Sequence, residues 1–373
     1  MLVDGQNRRL RIAQVAPLHL QVPPDRYGGT ERVVAALTSG LVARGHQVTL
    51  FAAGSSHTPA RLRSVAPRPL WEIDPYERLP YEIAQIEDVV DNADTFDVIH
   101  WHVDFLHWLV SARIRTPSVT TLHGRLDTAS IRMLFTAHRN QPVVSISDSQ
   151  RRPLADLSPA WVATVHHGLD AAGSYRLGSG GGGYLAFVGR SSREKGLATA
   201  IRVAIRAGMP IKIGARVGPG GDHYHRTQVV PLLDHPLVVW LGEIDEREKA
   251  RLLEGAAALL MPIDWDEPFG LSFIEALAAG TPVITRARGA LPELMDDGVH
   301  GYFAETEDEM VAACKRIDEI SRLECRQWVL NRFSTERMVH DYEQVYSQVI
   351  AGDVPPARVQ AGKPALDSFS PVS

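Results

Sequence analysis

The first half of the chain alternates short apolar runs with amphipathic stretches, a pattern that predicts strands separated by helices. An amphipathic stretch over residues 30–44 predicts a helix, and Gly45 after it is a typical helix stop. The predicted strands of this half are residues 10–15, 47–52, 98–101, 118–122 and 143–147. Strands that alternate with helices form a parallel sheet with right-handed crossovers, so this half predicts a doubly wound α/β domain.

A second series of strands begins after a glycine-rich segment. Residues 178–183 contain five glycines and one serine, which predicts a flexible or tightly turned linker. The strands predicted beyond it are residues 184–188, 211–213, 238–241, 258–261 and 282–285. We therefore expect a first doubly wound domain over residues 1–175, a linker over 176–183 and a second doubly wound domain over 184–334.

A one-sided apolar stripe near the end of the chain predicts a helix over residues 335–351. The members of the stripe recur at helical spacing, namely Met338, Tyr342, Val345, Tyr346 and Val349. We expect this helix to pack back on the first domain. Residues 352–373 are rich in Pro, Ala and Ser, which predicts a disordered tail.

The composition is that of a globular protein without a strong charge bias. Hydrophobic residues make up 45% and the formal net charge is −5, which gives no electrostatic footprint for nucleic acid. Residues 1–9 lack the apolar core of a signal peptide, and no apolar run approaches the about 20 residues that span a bilayer. Cys314 and Cys325 fit no metal pattern and suit a reducing compartment. We expect a cytoplasmic protein without a transmembrane segment, and peripheral membrane contact stays open.

Two glutamates flank a turn in the second domain. In doubly wound sheets ligands bind beyond the C-terminal ends of the strands, so two such domains place a site in the cleft between them. Residues 266–283 follow a predicted strand and combine a proline–glycine turn with a helix over 271–279, whose free N–H groups attract anionic or hydroxyl-rich ligands. Glu267 and Glu275 can both accept hydrogen bonds from ribose or sugar hydroxyls. Alternatively, Ser272-x-x-Glu275 is a capping box that closes the helix start.

This segment resembles a signature of known enzymes. The pattern E-P-F-G-L-x3-E-A-x-A-x-G-T-P-V over residues 267–283 resembles the E-x7-E signature of the retaining glycosyltransferases of family four, which have the GT-B fold of two Rossmann-like domains facing across a cleft. Residues 289–294 and 297–302 also resemble family segments. The resemblance implies that Glu275 holds the nucleotide ribose and that Glu267 contacts the transferred sugar. It also implies help from the turn backbone, namely Phe269, Gly270 and Leu271.

Two basic residues follow the first strand of the second domain. Taken alone, Arg190 and Lys195 are typical of solvent-exposed loop charges. Their segment, residues 189–196, resembles the family's second signature, G-R-x-x-x-E-K-G, which implies that both stabilise the departing diphosphate. Arg193 and Glu194 are expected to pair with each other or to face water.

Other donor contacts implied by the resemblance lie on loops. Gly28 and Gly29 precede the first helix, where glycine permits close backbone approach to the sugar-phosphate of the donor. The loop at Ile244 resembles the family loop whose backbone meets the nucleotide base. Arg216, at another strand end, stays open between a contact to the phosphate or base and a plain surface charge.

Histidines cluster in the first domain. His123 ends a predicted strand and matches the family's strand-terminal histidine, which implies that it donates to a sugar hydroxyl or moves a proton. His100 and His102 form an H-x-H pair, a spacing that also suits a metal, although no third ligand is evident. We interpret the pair as lining the cleft, with His102 nearer the acceptor. His167 stands where the family has asparagine, which leaves its role unassigned.

Asp264 and Asp266 spell D-x-D, the metal-binding signature of the other major glycosyltransferase fold. Because Arg190 and Lys195 already serve the diphosphate, we interpret these aspartates as loop residues that introduce Glu267. We predict no required metal and no cofactor beyond the donor substrate, a nucleotide diphosphate sugar of the UDP or GDP type.

The expected activity is retaining transfer of a hexose-type sugar to a hydroxyl acceptor, which is a glycan, a lipid or a natural product. The catalytic residues that the resemblance implies are His123, Arg190, Lys195 and Glu267. One alternative is an inactive protein that only binds sugar nucleotides. Another is a Rossmann-type oxidoreductase or epimerase, but no G-x-G-x-x-G fingerprint joins a strand to a helix.

Overall fold

The computed structural model describes residues 8–218 and 222–355, which form two parallel β-sheets flanked by helices. The strands of the first sheet are β1 (Arg11–Val15), β2 (Gln47–Phe51), β3 (Arg61–Arg63), β4 (Val98–Trp101), β5 (Ser118–Thr121), β6 (Val143–Ser145) and β7 (Trp161–Thr164). Their order is β3-β2-β1-β4-β5-β6-β7, and every neighbouring pair is parallel. Because the order reverses beside β1, the binding crevice of this sheet lies at the C-terminal ends of β1 and β4.

The second sheet repeats the same topology. Its strands are β8 (Leu185–Arg190), β9 (Ile211–Arg216), β10 (Val238–Gly242), β11 (Ala258–Met261), β12 (Val283–Thr285) and β13 (Gly301–Phe303). They lie in the order β10-β9-β8-β11-β12-β13 and are parallel throughout, with the switch point between β8 and β11. Two sheets of this order confirm the predicted class of two doubly wound, Rossmann-like domains.

Helices cover both sheets. The α-helices are α1 (Gly29–Ala43), α2 (Pro75–Asp91), α3 (Ala129–His138), α4 (Asp148–Arg151), α5 (Ala171–Ser174), α6 (Leu197–Ala207), α7 (Asp222–Tyr224), α8 (Val230–Leu233), α9 (Glu246–Gly255), α10 (Leu271–Ala278), α11 (Leu291–Leu294), α12 (Glu307–Lys315), α13 (Arg322–Arg332) and α14 (Thr335–Ala351). Among the described residues, the connections also contain a π-helical turn, His225–Val229, and six 3-10 helices: Leu70–Glu72, Ala93–Thr95, Leu106–Arg113, Arg152–Leu157, Arg193–Lys195 and Ile317–Glu319. Within the described ranges, no helix is long and apolar enough to cross a membrane.

Three strands escaped the prediction, and all three are edge strands. β3, β7 and β13 have three or four residues each and a hydrogen-bonded neighbour on one side only. An edge strand buries less side-chain surface than a central one, so its sequence carries a weaker apolar pattern. Strand β3 reads Arg-Leu-Arg, with no residue fully buried. The strands that were predicted agree with the structure to within three residues at either end.

The last helix, α14, packs against the first sheet and α1. Its apolar stripe shares one buried core with Ile12 of β1 and Leu37 of α1. Two tyrosine hydroxyls reach through this core, because Tyr346 Oη accepts from Gln14 Nε2 at 2.7 Å and Tyr342 Oη lies 3.0 Å from Thr121 Oγ1. The helix that ends the described chain therefore completes the domain that begins it.

The glycine-rich segment is tightly turned and packs along the second domain. Gly178 N donates to Ala279 O at 2.9 Å, and Gly182 N donates to Gly255 O at 3.0 Å. The guanidinium of Arg322 donates to Gly178 O at 2.7 Å. Most of the predicted disordered tail, residues 356–373, lies outside the described residues, as do residues 1–7 and 219–221.

Candidate active site between the two domains

A cleft of about 460 Å³ lies where the C-terminal ends of the two sheets face each other. This volume falls within the range of about 300–1,000 Å³ that is typical of ligand pockets. Residues after β1 and β5 line the cleft from the first domain, and residues after β8, β9, β10 and β11 line it from the second. The cleft brings together all the residues predicted for catalysis or donor binding, namely Gly28, Gly29, His123, Arg190, Lys195, Ile244, Glu267, Phe269, Gly270, Leu271 and Glu275.

Glu267 is held by two residues whose side chains also line the cleft. Lys195 Nζ donates to Glu267 Oε2 at 2.5 Å, and Trp265 Nε1 donates to the same oxygen at 2.9 Å. Lys195 Nζ also lies 5.1 Å from the centroid of the Trp265 ring, within cation–π range. Glu267 is only 8% exposed, and the ammonium of Lys195 compensates its charge within an ion pair. The pair presents an anion and a cation side by side to the cleft.

The turn that carries Glu267 depends on two glycines. Gly270 has a φ of +108°, and a Cβ added there would lie 2.7 Å from Phe273 Cδ2. A Cβ added at Gly289 would overlap the backbone nitrogen of Glu267. Gly270 is also the N-cap of α10, and no side chain caps that helix. Its first N–H groups and the positive end of its dipole are therefore left for a ligand in the cleft.

Glu275 belongs to a group of four charged residues, which we call the Glu275 cluster. Its other members are Arg32, Glu246 and Lys249. Glu275 Oε1 accepts from Lys249 Nζ at 2.7 Å and from Arg32 Nη1 at 2.6 Å. Glu246 lies 2.9 Å from Lys249 Nζ and 3.0 Å from Arg32 Nη1. Burial alone would raise the pKa of Glu275, but Lys249 and Arg32 hold that pKa below its ordinary value. The cluster joins α1 of the first domain to α9 and α10 of the second.

The alternative of a capping box at Ser272 is wrong. The N-cap of α10 is Gly270, and no side chain hydrogen-bonds to the start of this helix. Both cations of the Glu275 cluster hydrogen-bond to Glu275 instead. Hydrogen bonds between charged groups are roughly twice as strong as neutral ones, which explains why this carboxylate turns to Lys249 and Arg32.

Arg190 has one engaged nitrogen and one buried nitrogen without a partner. Its Nη2 donates to Glu194 Oε1 at 3.1 Å, so of the two alternatives for Arg193 and Glu194 the pairing with each other is wrong. Arg193 is exposed. The Nε of Arg190 is buried and has no partner among the residues that the structure describes. A ligand in the cleft can supply the acceptor that this N–H lacks.

Arg216 lies at the mouth of the cleft, where the two domains meet. Its guanidinium carbon lies 4.4 Å from the centroid of the Trp71 ring and 5.5 Å from that of Tyr27. Both aromatic residues belong to the first domain, and all three line the cleft. The side chain is therefore part of the site and not a plain surface charge. It spans the domains by cation–π contact.

A chain of hydrogen bonds fixes the ring of His123. Gln14 Nε2 donates to Tyr346 Oη, so with the amide in this orientation Gln14 Oε1 accepts from His102 Nε2 at 2.7 Å. Burial lowers the pKa of His102 well below its ordinary value, so this ring is neutral. Its Nδ1 must then accept from His123 Nε2 at 2.9 Å. The other nitrogen of His123, Nδ1, is left as a bare acceptor, buried and unpartnered within the described chain.

His100 does not line the cleft, contrary to the prediction. Its Nδ1 lies 2.8 Å from Tyr346 Oη and its Nε2 lies 2.7 Å from Thr121 Oγ1, so both nitrogens are engaged under α14. His102 lines a neighbouring cavity, with both of its nitrogens engaged as well. His167, the unassigned residue, does line the cleft, and its ring centroid lies 5.2 Å from that of His123.

The two aspartates of the D-x-D triplet lie on the loop that leads to Glu267. Asp266 Oδ1 accepts from Gly289 N at 3.1 Å, and Asp264 N donates to Glu194 O at 2.8 Å. Across residues 8–218 and 222–355, no group of three or more His, Cys, Asp or Glu side chains is arranged to hold a metal ion. The two cysteines are buried in the second domain, and burial raises the pKa of each thiol to about 12.

Several residues of the site went unnoticed in the sequence. Arg32 lies one helical turn after the glycine pair, and Trp265 lies inside the D-x-D triplet, so both stood beside recognised motifs. Lys249 gave no local signal, because a lysine on a charged helix is usually solvated. Glu293 was noticed only as part of a motif. It accepts from the backbone nitrogens of Asp148 at 2.9 Å and Ser149 at 2.7 Å, and so ties the second domain to α4 of the first.

Two family descriptions match the chain side by side. Residues 27–172 match Glycosyltransferase Family 4, and residues 179–332 match Glycosyl transferases group 1. Together they take in both doubly wound domains and nearly all of the cleft. The chain belongs to glycosyltransferase family 4. The resemblance seen in its motifs is thereby confirmed, and its two facing domains are the halves of the GT-B fold. The family favours glycosyl transfer over the oxidoreductase or epimerase alternative.

Similar proteins come from several bacteria. The phosphatidyl-myo-inositol mannosyltransferase of Mycolicibacterium smegmatis is 26% identical over 372 residues, which cover 91% of this chain and 92% of that protein. The sucrose-phosphate synthase of Thermosynechococcus elongatus superposes with a TM-score of 0.75 at 20% identity, over 92% of this chain and all of the other. An Anabaena protein, HepE, solved with UDP-glucose, gives a TM-score of 0.71 at 16% identity, over 91% and 100%. The two solved structures agree with this chain in fold.

Proposed function

We propose that this glycosyltransferase takes its sugar from a nucleotide diphosphate sugar of the UDP or GDP type and transfers it with retention of anomeric configuration. The observation that carries the proposal is the cleft, in which Glu267, Lys195 and Glu275 lie beside the uncapped N-terminus of α10. A helix N-terminus with a lysine beside it suits a diphosphate. The UDP-glucose bound by the similar Anabaena protein supports a donor of this class.

The donor would lie along the second domain. Its diphosphate would meet α10 together with Arg190 and Lys195, and its ribose would bind Glu275. The base would face the loop at Ile244. The backbone of the turn and of the facing glycine pair would contact the sugar-phosphate, namely Phe269, Gly270, Leu271, Gly28 and Gly29.

Lys195 and Glu267 neutralise each other at the wall of the cleft, and the donor would separate them. The lysine would turn to the diphosphate, where it stabilises the charge that develops as the bond from the anomeric carbon to the phosphate oxygen breaks. The acceptor hydroxyl attacks the same face of that carbon and passes its proton to the departing phosphate, which preserves the anomeric configuration. Glu267 would accept from a hydroxyl of the sugar, and the bare Nδ1 of His123 would accept from another.

We assign the acceptor to the first domain (residues 1–175) and the donor to the second (residues 184–334), with 176–183 as the link and 335–351 as the returning helix. His102 would act on the acceptor only through His123, because both of its own ring nitrogens are engaged. A cytoplasmic location and the absence of a metal requirement are part of the same proposal. An inactive binder of sugar nucleotides is the competing function.

A panel of UDP- and GDP-sugars tests the proposal. At least one should raise the melting temperature and should be turned over to free nucleoside diphosphate, with or without EDTA. Lys195→Met should lower turnover at least about 100-fold, as expected for loss of a charge that stabilises the leaving group. Lys315→Met, which alters an exposed lysine on α12, is the control. An inverted anomer in the product, turnover abolished by EDTA, or stabilisation without turnover would each refute the corresponding part.

A further inference from the structure

A second cavity, of about 360 Å³, opens beside the cleft within the first domain. We call it the side cavity. It lies beyond the C-terminal ends of β1, β4 and β5, with α2 on its far side. Glu31 and His123 line both the side cavity and the cleft, so the two spaces are continuous at the ring that faces the proposed sugar position. A molecule in the side cavity would therefore lie next to the reacting end of the donor.

The charges around the side cavity have one sign. Three carboxylates line it, namely Glu31, Glu82 and Asp104, and none of its lining residues is lysine or arginine. Burial keeps two of the three lining histidines, His102 and His123, neutral, and the third, the exposed His19, is a single group against three carboxylates. The cleft next door contrasts sharply, since it is lined by six arginines and lysines: Arg26, Arg32, Arg190, Lys195, Arg216 and Lys249.

Glu31 is a nearly buried carboxylate on the wall of the side cavity. The residue is 6% exposed, and its carboxylate makes no hydrogen bond to any other described side chain. The carboxylate accepts a hydrogen bond from the backbone N–H of Glu31 itself, and burial raises the pKa of Glu31 above its ordinary value. A buried carboxylate whose one donor is its own backbone N–H is incompletely satisfied, and a ligand that brings further donors reduces that penalty.

The other two carboxylates lie within the same cavity and are also unpaired or weakly paired. Asp104 is exposed and makes no side-chain hydrogen bond with a described residue. The Glu82 carboxylate lies 3.8 Å from His19 Nδ1, which is beyond hydrogen-bonding distance. Phe105 and Leu106 add apolar surface to the lining, which suits the face of a sugar-like ring.

We propose that the side cavity binds the acceptor and that this acceptor is a polyhydroxylated compound carrying a protonated amine, such as an aminosugar. An ionised carboxylate accepts hydrogen bonds but cannot donate them, so the ligand must bring hydroxyl or ammonium donors. Three carboxylates in a lining without lysine or arginine favour an ammonium group and disfavour a phosphate or a carboxylate. The amine contacts the carboxylates, and a hydroxyl beside His123 receives the sugar. The inference rests on the proposed function.

Three acceptor probes that share one ring test the inference: glucosamine, glucose and glucose 6-phosphate. The donor is the sugar nucleotide that the protein hydrolyses fastest, and products are followed by mass spectrometry and released nucleoside diphosphate. Glucosamine should have a kcat/KM about tenfold above that of glucose, and glucose 6-phosphate should fall at least about tenfold below it. Asp104→Asn and Glu82→Gln should each reduce the ratio of kcat/KM for glucosamine to kcat/KM for glucose. Glu77→Gln removes an exposed carboxylate of α2 outside the cavity and should leave that ratio unchanged.

The two proposals fail in different ways. If no donor is bound or hydrolysed, the proposed function is refuted and the inference falls with it. If donor hydrolysis is clear but glucosamine is neither glycosylated nor able to suppress hydrolysis, the acceptor inference alone is wrong. Preference for glucose 6-phosphate, or an unchanged glucosamine preference in both carboxamide variants, would also overturn it.

Discussion

Replacing Lys249 by methionine removes one of the two cations that hold Glu275. The lysine is 4% exposed and Glu275 is 5% exposed, so solvent cannot replace the lost charge. Two unit charges about 4 Å apart interact by about 4 kcal/mol at an effective dielectric near 20. Breaking a buried pair by removing one partner costs about 3–5 kcal/mol. Because Arg32 remains at 2.6 Å from Glu275, we expect a loss near the lower limit, about 3 kcal/mol in the free energy of unfolding.

The control for this loss is the double variant Lys249→Met, Glu275→Gln. It removes the anion together with the cation, so Arg32 and Glu246 are left as a balanced pair. We expect it to recover about 2 kcal/mol or more of the stability lost in Lys249→Met, a coupling that a double-mutant cycle measures directly. Lys315→Met, on the exposed end of α12, should change the free energy of unfolding by less than about 0.5 kcal/mol.

Urea unfolding at pH 7, followed by circular dichroism, is the assay for five proteins: the wild type, Lys249→Met, Glu275→Gln, the double variant and Lys315→Met. If Lys249→Met lowers the free energy of unfolding no more than Lys315→Met does, the Glu275 cluster does not contribute the expected stability. Additive losses in the double variant would show that Lys249 acts through packing alone.

A further consequence concerns the donor. Without Lys249 burial raises the pKa of Glu275, so the donor KM of Lys249→Met should rise more steeply than that of the wild type as the pH falls.

Three other outcomes follow. Glu267→Gln should lower kcat at least about 100-fold in steady-state kinetics with a smaller effect on donor KM; unchanged turnover would remove this residue from the active site. Ser272→Ala should leave the urea midpoint nearly unchanged, whereas a true capping serine would cost about 1 kcal/mol. The free energy of unfolding should decrease as the pH drops below about 6.5, because histidines that are buried and neutral in the folded protein take up protons in the unfolded chain. Each such histidine contributes a loss of up to about 1.4 kcal/mol per pH unit. Urea midpoints that do not change between pH 6.5 and pH 5 would contradict this. The histidines are His100, His102, His107, His123 and His167.

The central strands and the loops of the site could be predicted because their signals are local. A buried parallel strand is a run of apolar residues, and the motifs that follow β8 and β11 lie within a few residues of those strand ends. Edge strands such as β3 lack the run and were missed. The predicted boundaries of α10 were nearly right for the same local reasons, since a glycine precedes it and another follows it.

The partners of the site residues could not be predicted because they are distant in sequence. Arg32 lies 243 residues from Glu275, so Ser272 was the only partner that spacing could suggest. His100 was expected in the cleft because strand alternation gives the face of a side chain but not what covers that face. A tyrosine 246 residues later covers it.

The return of α14 to the first sheet has a consequence for synthesis on the ribosome. Strands β1 to β7 emerge early, yet the apolar side chains of α14 that complete their core emerge about 170 residues after β7. Until then the N-terminal half carries an open hydrophobic groove, while residues 184–334 can fold as they appear. We therefore expect the second half of the chain to fold first, and the first half to complete its core once α14 has emerged. Nascent chains stalled before residue 335 should accordingly be the ones that bind a chaperone.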